Sequence, residues 1–194
     1  MRLLMVAPPG AGKGTQATLL ADHYAIAHLS SGDLFRKEIA AGSEVGRQAA
    51  DYLARGDLVP DRVVLDLLAP HIFESAAQGG FVLDGYPRTR AQAEEAYEVA
   101  GRIAGVELQA VVHLEVARAE LLRRLSARAS RDGRVDDTEP VIRHRLEVYD
   151  RETAPMLEYY AGRGLVVDVD GEHGVTEVLS DIVGAVDAVR AGLS

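Results

Sequence analysis

Ala7-Pro8-Pro9-Gly10-Ala11-Gly12-Lys13-Gly14-Thr15 lies between a short apolar run, Leu3-Leu4-Met5-Val6, and a stretch of helical period at 16–23. Glycines between a strand and a helix let successive backbone N–H groups turn inward. The helix N-terminus adds its partial positive charge, and together they make an anion cradle. A lysine at its mouth reaches phosphate oxygens as a compact, flexible point charge. The stretch follows the phosphate-loop pattern GxxxxGK[ST] with two departures: Ala7 stands for the first glycine and Gly14 for the hydroxyl residue, with Thr15 one position late. Pro8 holds the residue before it extended, so position 7 needs no positive φ and tolerates a methyl.

Outward from this loop, short apolar runs at 3–6, 27–29, 80–83, 110–114 and 165–169 alternate with segments of helical period. That alternation predicts α/β architecture: five parallel strands in one doubly wound layer with helices on both faces. In such sheets ligands bind beyond the carboxyl ends of the strands, which points to residues 7–15, 30–33, 84–88, 115–116 and 170–174. Two stretches fit the layer less well. Residues 33–77 hold no strand candidate and read as a helical excursion on the sheet edge, broken at Gly42 and again at 56–60. Residues 127–139 read as an exposed loop, because Ser130-Arg131-Asp132-Gly133-Arg134 and two aspartates interrupt a helical pattern.

The whole chain of 194 residues is about one domain long. At 47% hydrophobic and 26% charged it can bury a core. Thirty acidic against 21 basic residues give a net charge of −9, which argues against a surface for nucleic acid or an anionic membrane. No apolar run approaches a membrane span or a secretory leader. With no cysteine, disulfides and thiolate chemistry are excluded, and the reading is cytoplasmic. Only Lys13 and Lys37 are lysine; the other nineteen cations are arginine, and coding bias does not explain the lysine at 13.

Further motifs follow in order: Leu29-Ser30-Ser31-Gly32-Asp33-Leu34-Phe35-Arg36, Gly56-Asp57-Leu58-Val59-Pro60, Asp84-Gly85-Tyr86-Pro87-Arg88, Arg128, Gly133-Arg134-Val135-Asp136-Asp137 and Arg145. With the glycine-rich loop they make the chain resemble an adenylate kinase of the short-lid type, from Arg2 to the last helix. The resemblance implies a P-loop NTPase-type three-layer fold with a five-stranded parallel sheet. It also implies a nucleoside-monophosphate-binding insertion at about 30–59 and a short lid at about 127–137, all within one domain spanning 1–194. It further implies reversible phosphoryl transfer from ATP to AMP, giving two ADP, by a monomer that uses Mg²⁺ with ATP. A lid pinned by cysteine-bound zinc is excluded here, so no zinc is expected.

Carried over residue by residue, Gly10, Ala11, Gly12, Lys13, Gly14 and Thr15 would hold the ATP phosphates. Ser31 and Arg36 would contact AMP, Ser31 standing where threonine is usual. Asp57, Leu58 and Val59 would line the adenine of AMP. Gly85, Tyr86, Pro87 and Arg88 would lie beneath its phosphate, and Gln92 would read the adenine edge. Arg128 matches the ATP-side arginine, while Arg134 and Arg145 match arginines bridging the transferred group and AMP. His173 matches a residue whose main chain touches the ATP base. Ala129 replaces a glycine found at the lid hinge of many relatives.

Phosphoryl transfer asks a protein for positioning and charge stabilisation, and arginine supplies a permanently charged fork for phosphate oxygens. Lys13, Arg88, Arg128, Arg134 and Arg145 are therefore the catalytic candidates. Arg118, Arg123, Arg124, Arg131 and Arg143 read as solvated helix surface. The second pKa of a phosphate monoester lies near ~6, so the acceptor is already ionised at neutral pH and no histidine is expected to act as a base. Asp84, at the end of an apolar strand beside the loop, is the candidate to orient the Mg²⁺ shell through water. Asp136 and Asp137 are expected to latch a closed lid. The competing readings are a pyrimidine-monophosphate kinase, disfavoured by Ser31 and Thr89, and a regulatory module that has lost catalysis, disfavoured by the complete set of cations.

Overall fold

The computed structural model describes residues 1–103, 105–132 and 138–192. Five strands, β1 (Arg2–Val6), β2 (Ala27–Ser30), β3 (Phe81–Asp84), β4 (Ala110–Glu115) and β5 (Val166–Asp170), form one sheet in the order β2-β3-β1-β4-β5. Every pairing is parallel. Each strand lies within a residue or so of its sequence expectation. A parallel strand covered on both faces reads as an apolar run that needs no alternation, and Leu3, Leu4, Met5 and Val6 are all buried.

Helices α1 (Lys13–Tyr24), α6 (Arg118–Asp132), α7 (Glu139–Val148) and α9 (Val175–Gly192) contribute to the core on one face, where Leu3, Met5, Val112 and Leu114 meet Ala17, Leu20, Leu125, Ile142, Leu146 and Ile182. The other face carries Leu4, Val6, Leu83 and Val111 against Phe35 of α2 (Ser31–Ala40), Ala49 of α3 (Glu44–Arg55), Leu68 of α4 (Asp61–Ala77), Ala93 of α5 (Arg90–Ala100), and Met156 and Tyr160 of α8 (Ala154–Ala161). Alternate residues of one strand thus feed two cores. A π-helical turn, Tyr149–Thr153, joins α7 to α8.

Between β2 and β3 run α2, α3 and α4, with no strand, as the sequence predicts. Serine caps hold the first two: Ser30 accepts from Asp33 N and Ser43 from Gly46 N. Gly56, at φ 78, ends α3. The expected loop at 127–139 is corrected over its first part, since α6 continues unbroken through Asp132. Alanine, serine and arginine at 126–131 carry little helical penalty, and the first strong breaker is Gly133. Gly133, Arg134, Val135, Asp136 and Asp137 lie outside the described residues, so the readings made for Arg134 and the two aspartates do too.

Strand order reverses at β1, which has β3 on one side and β4 on the other. The crevice at such a switch point opens at the carboxyl ends of the strands, which here carry the loops after β1 and β3.

Candidate active site

The loop after β1 is shaped by backbone conformation. Gly10 and Gly12 sit at φ 90 and 93, where side chains are strained. A methyl on Gly10 would also stand 2.7 Å from Leu125 Cγ, whereas Gly12 faces open space and needs only its φ. Ala7 is buried in the core and has no positive φ, as Pro8 led us to expect. Gly12 then caps α1, its carbonyl accepting from Gln16 N at 3.0 Å. Gln16 Nε2 donates to Val175 O at 2.9 Å and ties α1 to the start of α9.

Lys13 Nζ pairs with the Asp84 carboxylate at the end of β3. Asp84 is 6% exposed. Burial alone would raise its pKa, but the Lys13 ammonium and neighbouring His28 hold the carboxyl well below the usual range. His28 Nε2 lies 3.8 Å from Asp84 Oδ2, and its Nδ1 is 3.2 Å from Thr18 Oγ1. Asp84 Oδ2 also stands 3.8 Å from where a Cβ of Gly14 would be, and the exposed Thr15 lines the same cleft. An ionised carboxylate and a hydroxyl beside a phosphate cradle are hard oxygen donors, a set that fits Mg²⁺.

A second pocket is built by side chains holding one another. Ser31 Oγ donates to Gly85 O at 2.9 Å, and Arg88 Nε donates to the same carbonyl at 2.7 Å. Gly85 has φ 86, and a Cβ there would collide with Ser31 Oγ. Gln92 Oε1 accepts from Arg88 N at 2.7 Å, while Gln92 Nε2 donates to Asp61 Oδ1 at 2.6 Å. That leaves Gln92 one N–H and one lone pair for a ligand. Thr153 Oγ1 donates to Arg88 O at 2.7 Å, so the π-helical turn braces the same loop. Asp57 accepts from Arg55 Nε at 2.9 Å and lies 2.7 Å from His144 Nε2, and both partners lower its pKa. Burial, with Glu95 and Asp61, pushes the Tyr86 phenol up to about 12, so it stays protonated.

This pocket, lined by Ser31, Arg36, Asp57, Leu58, Val59, Gly85, Tyr86, Arg88, Gln92 and Arg145, adjoins a cavity of about 670 Å³. The larger cavity is lined by Gly10, Gly12, Lys13, Gly14, Thr15, Asp84, Arg124 and Arg128 among others. Gly32, Arg36, Gly85, Arg88 and Arg145 line both. Pro87 lines a neighbouring recess with Lys13 and Arg88. Ala11, within the loop, is buried. His173 lies after β5 in a half-exposed setting, 3.7 Å from Asp170 and 3.9 Å from Glu177, and lines neither cavity.

One arginine departs from its expected place on solvated surface. Arg124 Nη1 donates to Gly171 O at 2.9 Å and Ala11 O at 3.4 Å, and Nη2 to Glu172 O at 3.5 Å. Glu120 anchors it at 2.6 Å. It thereby fastens the phosphate loop to the loop after β5. Arg118, Arg123 and Arg143 are exposed and pair with Asp150, Glu120 and Glu139, as expected of surface. Asp61, His28 and Thr153 are site residues that no sequence motif announces, and Arg124 is one that the sequence assigns to the surface.

Residues 5–165 match the model of a protein family described as Adenylate kinase. An adenylate kinase of Stenotrophomonas maltophilia (strain K279a) is 45% identical over 188 residues, covering 97% of this chain and 100% of that protein. One from Thermobifida fusca (strain YX) is 46% identical over 178 residues, 92% of this chain and 94% of the relative. One from Micrococcus luteus is 45% identical over 190 residues, 98% and 92% respectively.

Proposed function

The chain belongs to the adenylate kinase family and transfers the terminal phosphoryl group of ATP to AMP, giving two ADP in adenine nucleotide homeostasis; from that premise we propose which of its residues perform each part. ATP lies along the larger cavity with its phosphates on the backbone of Gly10 to Thr15. AMP occupies the smaller pocket, its base against Leu58, Val59 and Gln92 and its phosphate over Gly85 and Arg88. The reading rests on one observation: Arg36, Arg88 and Arg145 line both cavities at their junction, with Lys13 on the adjoining wall. An oxygen of the AMP phosphate attacks the terminal phosphorus of ATP, that bond forms as the bond to the bridging oxygen breaks, and ADP leaves. Negative charge spreads over the equatorial oxygens in between, and preorganised cations in a dry site stabilise it.

Before ATP arrives, Asp84 holds Lys13 at the mouth of the loop. Phosphate oxygens then compete for the ammonium, and Asp84 with Thr15 would hold Mg²⁺, through water in the case of the carboxylate. Bound there, the ion would neutralise charge on the phosphates of ATP. Arg128 serves the ATP side, and Arg134 joins Arg145 on the transferred group. His173 contributes main chain beside the ATP base, at the end of the segment that Arg124 fastens. Residues 30–59 and 127–137 act as the AMP cover and the lid, excluding water as a rival acceptor. The enzyme acts as a monomer in the cytoplasm, as its resemblance to the short-lid family implies.

Turnover with ATP and AMP, CMP, UMP or GMP in parallel tests the acceptor assignment. AMP is expected to give the fastest ADP formation, and faster turnover with CMP or UMP would overturn it.

A further inference from the structure

At the outer edge of the sheet, away from the lining of either nucleotide cavity, a histidine and two carboxylates meet on one face. His113 and Glu115 are two residues apart on β4 and so project to the same side, and Asp168 is the partner of His113 across the parallel pairing with β5. One ligand atom from each of the three lies within 4.8 Å of the other two. The imidazole is held at both nitrogens. Nδ1 lies 2.8 Å from Asp168 Oδ1, and Nε2 lies 3.3 Å from the hydroxyl of Tyr149 in the π-helical turn.

The two nitrogens have unlike surroundings. Tyr149 is half-buried, and its hydroxyl can donate to a bare Nε2 or accept from Nε2–H. With no ion bound, the 2.8 Å contact requires Nδ1–H donating to the Asp168 carboxylate, which leaves Nε2 to accept from Tyr149; an ion on Nδ1 would move the proton to Nε2, where the same hydroxyl accepts it. A metal-binding histidine generally has this arrangement, with its far nitrogen donating to a neighbouring acceptor that sets ring orientation and tautomer. His113 is 14% exposed and fixed in place, whereas Asp168 is 59% exposed and Glu115 also faces solvent. Both carboxylates therefore have room to turn once an ion replaces the hydrogen bond between His113 and Asp168, and water has access to the remaining coordination positions.

We propose that His113, Glu115 and Asp168 bind a divalent first-row transition-metal ion at the β4–β5 edge, with Tyr149 positioning the imidazole. Around an ion with bonds of about 2.0–2.2 Å, ligand atoms stand roughly 3–4.4 Å apart, so the cluster closes with a small rotation of either exposed carboxylate. One imidazole with two carboxylates suits a first-row ion better than Mg²⁺ or Ca²⁺, which take oxygen almost alone. The net charge of −9 favours any cation near this surface. The site bridges the edge strand to its neighbour, so occupancy clamps β5 to the sheet. A plain cross-strand His–Asp pair would explain the 2.8 Å contact, but it would not call for Glu115 within ligand distance on the same face.

Nucleotide-free protein titrated with Co²⁺, in the presence of excess Mg²⁺, tests this through the visible absorption of the bound ion and the melting temperature. One Co²⁺ per chain is expected, with nitrogen ligation in the spectrum and a higher melting temperature. Asp168→Asn and Glu115→Gln, both at exposed positions, should each weaken binding about 10- to 100-fold, and Tyr149→Phe about tenfold. His173→Gln, which removes the other histidine near several carboxylates, should leave binding within about twofold of the parent if the site is at His113. Binding that survives both Asp168→Asn and Glu115→Gln, that is abolished by His173→Gln, or that Mg²⁺ displaces would overturn the proposal. So would the absence of any Co²⁺ spectrum.

Discussion

The phosphate loop and the AMP pocket face the same junction but are made in different ways. The loop is nine consecutive residues whose chemistry is mostly main chain: two glycines at positive φ, a helix N-terminus and one lysine. The pocket draws on α2, the end of α3, the loop after β3, α5, α7 and the π-helical turn. Its geometry depends on side chains bonding across those elements, Ser31 to Gly85, Gln92 to Arg88 and Asp61, and Thr153 to Arg88. A site made of backbone is specified by which residues must be small. A site made of side chains is specified by pairs, and each pair needs both members.

The largest effect should fall at the one side chain on which the loop depends. Lys13→Ala is expected to lower kcat by about 10²–10³-fold, the scale for removing one preorganised charge from a transition state. It also strips the buried Asp84 of its cation, so a loss of stability should accompany it. Adding Asp84→Asn should recover the stability and none of the turnover, as seen in paired thermal melts and steady-state assays. Recovery of turnover would mean that Lys13 matters only as a counter-ion. Asp84 carries a pH signature as well. Its folded pKa is depressed, so its contribution is complete above the unfolded value near ~3.9 and disappears as pH falls through the folded one. The stability gap between wild type and Asp84→Asn should shrink on acidification below about pH 4.

Gly10→Ala comes next. Positive φ and the close approach of Leu125 together should cost about 2–4 kcal/mol by denaturant unfolding and weaken ATP binding, although no side chain is lost. A neutral result would show that the loop is less constrained by its backbone than its φ values imply. On the pocket side, Gln92→Leu removes the acceptor for Arg88 N–H and the amide donor to Asp61. It should raise the KM for AMP about tenfold and leave the KM for ATP nearly unchanged. Equal rises in both would break the division between the two regions. The smallest effect is expected from Ala7→Gly, less than about twofold in kcat, because the position lacks positive φ; its stability should fall by about 0.5–1 kcal/mol from added chain entropy.

The same contrast explains what the sequence could tell. All five strands were legible because each is an apolar run bounded by turns, and the carboxyl ends of the strands were marked as the binding side, whereas the order that puts a switch point at β1 appears only in the folded sheet. The loop itself was legible because it is contiguous. The AMP pocket was legible only through resemblance, since nothing local to Gln92 announces that Asp61, 31 residues earlier, would take its amide. Arg124 reads as surface in the sequence because its partners are carbonyl oxygens of Ala11, Gly171 and Glu172, and a carbonyl has no sequence signature. The loop expected from Ala127 begins only after Asp132, because the polar residues before Gly133 have ordinary helix propensities. The cluster at His113 had no motif either, as it forms only when β5 pairs with β4.

The central claim is that one phosphoryl group passes between two adenine nucleotides at the place where the two cavities share Arg36, Arg88 and Arg145. A crystal structure with two adenosines joined through a phosphate chain tests it most directly. The account predicts one base against Leu58, Val59 and Gln92, the other base on the far side of the phosphate loop, and Lys13, Arg88 and Arg145 within hydrogen-bond distance of the chain between them. A complex with the phosphates away from those three cations, or with neither base near Gln92, would contradict it.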